Sequence, residues 1–141
     1  MSSQGIEFIK QFEGFQANVY YVNGTGNPTI GYGHEVRPGE DFSNGITEEQ
    51  ALQLLAQDAQ IFIDAINDLV TVPLTQNQFD ALLSYVYNTG SLSGTILLAN
   101  LNAGDYEGAA AEMDINTSEG VYMQGLENRR IAERNLFLNG Y

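Results

Sequence analysis

Apolar residues fall at two different periods along the chain, and the change of period divides it into a short helix, a strand-rich stretch and a long helical remainder. Residues 3–13 carry Ile6, Ile9 and Phe12 at helical spacing and end on Glu13. From residue 14 to residue 45 the composition turns to Gly, Asn, Tyr and Thr. There VYY and PTIGYGH read as short strands joined by NGTGN, whose Asn and Gly residues tolerate positive φ. A β-hairpin or three-stranded lobe is predicted.

Two capping boxes then open helices. In Thr47-Glu48-Glu49-Gln50 the Thr hydroxyl and the Gln side chain can each satisfy a backbone donor of the other residue. Leu52, Leu55, Ala59, Phe62, Ile63 and Ile66 continue an apolar face to about Leu69. Thr75-Gln76-Asn77-Gln78 repeats the device after Pro73, ahead of Phe79, Leu82, Leu83, Val86 and Tyr87, with a stop near Gly90. Beyond Gly90 the pattern reads as helix throughout, over 94–102, 105–114 and 125–138. The fold class is α+β: an N-terminal helix, a small antiparallel lobe over about 14–46 and a helical lobe over 47–141, together one domain. A cleft between such lobes is the natural place for a ligand.

Composition narrows the chemistry. A chain of 141 residues fits one domain, which can bury roughly two thirds of the surface of its unfolded chain. With no cysteine, disulfides, thiolate metal sites and a cysteine nucleophile are excluded, and His34 supplies the lone imidazole. Eighteen acidic against five basic residues give a net charge of −13, which repels phosphate and argues against nucleic acid or an anionic membrane as partner. The opening MSSQGIEFIKQFEGF has neither the basic nor the apolar region of an export signal, and no apolar run approaches the ~20 residues of a membrane span.

FEGFQANVYYVNGTGNPTIGYGH resembles the N-terminal signature of the phage-type lysozymes, in which Glu-Gly after the first helix is followed by Tyr-x-Asp and Thr-Ile-Gly-x-Gly-His. ITEEQALQLLAQD, VPLTQNQFDALLSYVYNTGS, LNAGDYEGAAAEM and GLENRRIAERNLFL resemble later segments of that family in the same order. The resemblance implies a lysozyme-like fold and an endolysin-like muramidase. Such an enzyme cleaves the bond between N-acetylmuramic acid and N-acetylglucosamine in bacterial peptidoglycan, as a monomer and without metal or cofactor. It would stay in the host cytoplasm until released to the wall.

Glycosidic hydrolysis needs a protonated carboxyl to donate to the leaving oxygen. By resemblance that acid is Glu13, flanked by Phe12 and Phe15 in a setting where desolvation favours the protonated form. The same resemblance supplies Arg129 as its supporting cation, ahead of Arg130, and Thr29 as the hydroxyl that holds the attacking water. The family's aspartate is absent. Its position falls on Val22 when counted from Glu13 and on Asn23 when counted back from Thr29, and Asn23 can orient a water but cannot take its proton. A single-glutamate lytic transglycosylase and a glycan-binding domain without turnover are the alternatives, and Glu35, Glu40 and Asp41 are the nearby carboxylates that could replace the aspartate. His34 is expected to form a structural pair with Asp58. Tyr32 and Asn88 are candidate sugar contacts, and Tyr20 and Tyr87 fit either a groove or the core. Gly31-Tyr32-Gly33 lacks the rest of a phosphate loop and reads as close backbone packing.

Overall fold

The computed structural model describes residues 2–21, 26–118 and 120–141. Its elements are α1 (Ser3–Glu13), β1 (Gln16–Tyr21), β2 (Pro28–Gly31), β3 (His34–Glu35), α2 (Glu48–Leu69), α3 (Gln76–Thr89), α4 (Ile96–Asn102), α5 (Tyr106–Ala111), β4 (Thr117–Ser118), β5 (Val121–Tyr122) and α6 (Gln124–Asn139). They fall into two units, Glu7–Ile61 and Met1–Ile6 with Phe62–Tyr141, so α1 and α2 each contribute to both. Among the described residues no helix is long and apolar enough to cross a membrane.

In the first unit β1, β2 and β3 form an antiparallel sheet in that order. Its register pairs Tyr20 with Thr29, Thr29 with Glu35 and Ile30 with His34. Directly opposed residues share a face, so Tyr20, Thr29 and Glu35 lie on one side, while Ile30 and His34 lie on the other and are buried. Ile9, Ile30, Ala51, Leu55 and Ala59 provide the apolar core of this unit. Thr47 N donates to Gln50 Oε1 at 2.9 Å and Gln50 N to Thr47 Oγ1 at 3.2 Å, so α2 opens with the expected capping box. Of the NGTGN turn, residues 23–25 lie outside the described residues.

The second unit is built around α3, whose residues Asp80 to Val86 are all buried, as in a helix enclosed on every side. Thr75 and Gln78 form its capping box, and Gly90 ends it in the left-handed conformation at φ 96°. Thr95 and Asp105 cap α4 and α5. The pattern's helix over 105–114 stops earlier, at Ala111. The all-helical expectation beyond Gly90 fails at Thr117–Ser118 and Val121–Tyr122, where β4 and β5 pair as two antiparallel strands. Strands of two residues are too short to show an alternation, so nothing in the pattern marked them.

A buried ionic cluster joins α6 to α3. Glu133 and Arg130 have fully buried side chains and Arg129 is 5% exposed. Ser84 Oγ donates to Glu133 Oε2 at 2.5 Å, Arg130 Nη2 to the same oxygen at 3.1 Å and Arg129 Nη2 to Ser84 O at 3.1 Å. Arg130 also lies over the Tyr85 ring, 4.9 Å from its centroid. Removing the carboxylate strands two guanidinium groups in a dry interior. Glu133→Ala is therefore expected to lose about 3–5 kcal/mol of unfolding free energy in a urea titration; a loss below about 1 kcal/mol would show that the cluster is solvated.

Candidate active site

Helix α1 ends where it does because Gly14 takes the left-handed conformation at φ 68° and donates its N–H to Lys10 O at 2.9 Å. Glu13 is thus the last helical residue, half-buried and held at a fixed point of the first unit. Its carboxyl rests on the turn between β2 and β3. A Cβ at Gly33, whose φ is +81°, would stand 2.4 Å from Glu13 Oε1, closer than any contact a side chain can make. Gly31, at φ +67°, gives Ala51 of α2 the same kind of approach, with 3.2 Å to its Cβ. The Gly-Tyr-Gly segment is backbone packed closely on both sides.

Tyr20, on the sheet face that carries Thr29, responds to this carboxyl. Burial and then the negative charge of Glu13 push its phenol above the ordinary range. Thr29 is 4% exposed, and its hydroxyl donates to Asn27 O at 3.0 Å. That leaves the oxygen's lone pairs available to accept from a water. Val22 and Asn23, the two candidates for the family's aspartate position, lie outside the described residues.

Tyr32 is buried, with its hydroxyl donated to Glu48 Oε1 at 2.9 Å and its ring beside Phe15 at 5.7 Å between centroids. Lys10 sits over the same ring. Asn88 is exposed in the last turn of α3, and Tyr87 packs edge-on against Phe62. Arg129 belongs to the second unit, where it bonds Ser84 and Glu133; its expected role toward Glu13 rests on the family resemblance. Arg130 is wholly buried in that cluster against Tyr85. Glu133 and Ser84 belong to no motif, although the spacing of Arg129, Arg130 and Glu133 on one helix is a usable signal.

His34 and Asp58 meet: Nδ1 lies 2.7 Å from Asp58 Oδ2, while Nε2 lies 3.0 Å from Glu40 Oε1. Arg37 closes the network, with Nη2 donating to Asp58 Oδ1 at 3.0 Å and its backbone N to Glu40 Oε1 at 2.6 Å. A neutral imidazole would turn one bare nitrogen toward a carboxylate, so the doubly protonated ring fits this setting. Burial alone lowers the His34 pKa, but the bonds to Asp58 and then Glu40 outweigh it and leave the value raised. Glu40 is opposed by its own burial, yet the Arg37 N–H and His34 hold it below the usual carboxylate range. Among the described residues no group of His, Asp and Glu is placed to hold a metal ion.

Residues 10–133 match the family model described as phage lysozyme. An endolysin of Bacillus phage B103 is 44% identical over 99% of this chain, which spans 54% of that relative's length. An endolysin of Salmonella phage P22 is 40% identical, with 99% of this chain and 98% of the relative covered. Among solved structures, an endolysin of the Escherichia coli O157:H7 phage FAHEc1 superposes with a TM-score of 0.84 at 37% identity, covering 99% of this chain and 94% of that one.

The His34 network has a definite pH signature. A raised pKa in the folded state gives stabilisation that is full below the ordinary value of 6.5 and is lost as pH rises through the folded value. The stability difference between wild type and His34→Gln, read from denaturation midpoints, is expected to be largest near about pH 6 and to shrink steadily toward about pH 9. A difference that grows with pH contradicts the charged-ring account.

Proposed function

Because the chain belongs to the phage lysozyme family, we propose that it hydrolyses the glycan strands of bacterial peptidoglycan between N-acetylmuramic acid and N-acetylglucosamine, with Glu13 as the general acid. Residues 1–141 serve as one catalytic domain that works as a monomer at the wall, with no metal or cofactor. The observation that carries this reading is the seat of the Glu13 carboxyl on Gly33, beside Tyr20 and the strand that bears Thr29.

The chemistry follows from that placement. The Glu13 proton goes to the leaving oxygen as the bond to the muramic acid carbon breaks, and a water completes the substitution. Thr29, already committed as a donor to Asn27 O, receives a hydrogen bond from that water and so points its lone pair outward. Asn23 adds a second orienting group. Neither residue removes the water's proton.

Clearing of permeabilised bacterial cells tests the reading. Wild type is expected to clear them and Glu13→Gln to lose about 10²–10⁴-fold in rate, the usual contribution of a positioned acid. Mass spectrometry of the fragments should show reducing ends. Anhydromuramic ends would assign a lytic transglycosylase instead, and binding to walls without clearing would assign a glycan-binding domain.

A further inference from the structure

We propose that Glu35 is the catalytic base of this enzyme, the carboxylate that takes the proton of the attacking water in place of the aspartate missing at Val22 or Asn23. The inference rests on the reading of Glu13 as the acid. Three observations carry it.

The first is register. Thr29 is the direct partner of both Tyr20 on β1 and Glu35 on β3, so the three side chains form a row on one face of the sheet. His34, the neighbour of Glu35, points to the buried face, as alternation requires. The second is proximity to the acid. Glu13 Oε1 touches the turn at Gly33, two residues before Glu35. The acid and Glu35 are therefore brought to the same end of the β2–β3 hairpin.

The third is availability. Glu40 is held by His34 and the Arg37 N–H, and Asp41 accepts from Ser43 N at 3.0 Å, so both are engaged in their own loop. The side chain of Glu35 is exposed and makes no hydrogen bond or ion pair with any other described residue. It is the carboxylate of this row that no other described residue engages, and it can meet a water.

In the step proposed, the water oxygen forms its bond to the anomeric carbon of the muramic acid residue while Glu35 accepts one water proton. The bond from that carbon to the leaving sugar's oxygen breaks, and the oxygen takes the proton of Glu13. No electron is transferred to any other group, and the two carboxyls exchange protonation states. The glutamate thus supplies from β3 the function that the family resemblance places in the β1–β2 loop.

The test is chemical rescue. Glu35→Ala is expected to fold with an unchanged thermal midpoint, since the side chain is exposed, and to lose about 10²-fold or more in kcat with little change in KM. Sodium azide, an anionic nucleophile that needs no base, should restore turnover to this variant and give a glycosyl azide product. Glu35→Gln should show the same loss and also lose the limb of the pH–rate profile that reports a base. Wild-type rates in Glu35→Ala, or a slow variant that azide does not rescue, overturn the assignment while leaving Glu13 as the acid. If wild type makes no reducing ends, or Glu13→Gln cleaves as well as wild type, the underlying reading fails first and the base falls with it.

Discussion

The contact between the Glu13 carboxyl and the bare backbone of Gly33 is the constraint on which the rest of the site depends. Glu13 Oε1 occupies space that the Cβ of any other residue at position 33 would need. The same glycine, at φ +81°, lets the chain reverse between β2 and β3. One residue thereby seats the Glu13 carboxyl and sets the phase of β3. His34 is turned into the core, where Asp58 and Glu40 hold it, and Glu35 is turned to the face of Thr29 and Tyr20. Helix α1 completes the arrangement because Gly14 stops it with Glu13 as its final residue.

Two buried ionic clusters among the described residues solve different problems. The Glu133 cluster places one carboxylate between two arginines and a serine hydroxyl in a dry interior, where each charge has its counterpart close by. The His34 network has two carboxylates around one imidazole, with Arg37 supplying the remaining positive charge from the surface. Both are structural in their bonding, since every group has a partner within the cluster. The proposed acid and base are placed differently: Glu13 is half-buried and Glu35 is exposed.

Much of the fold was legible because local chemistry and global structure agree. The capping boxes at Thr47 and Thr75 and the stop at Gly90 are read directly from residue type, and each carries the expected hydrogen bonds. His34 and Asp58, whose partnership the resemblance implies, come together at 2.7 Å. The β4–β5 pair was invisible because two-residue strands leave no periodic trace. Tyr32 shows why aromatic residues in a strand region are ambiguous: its ring is core, while its hydroxyl reaches the polar Glu48. Glu35 could be named from sequence only as one of three nearby acids. Its distinction from Glu40 and Asp41 depends on strand register and on which loops use which carboxylates, and neither is encoded at the level of residue type.

The measurement that bears most directly on this account is the activity of Gly33→Ala set against Gly94→Ala. Both glycines have left-handed backbones, at φ +81° and +74°, so both substitutions carry similar strain, but a Cβ at Gly94 meets nothing within 4 Å. If the seat of Glu13 on Gly33 sets catalysis, a displacement of the carboxyl by about 1 Å lowers peptidoglycan cleavage about 10²-fold in Gly33→Ala, while Gly94→Ala, equally folded, cleaves at the wild-type rate. Equal activity in the two variants would contradict it.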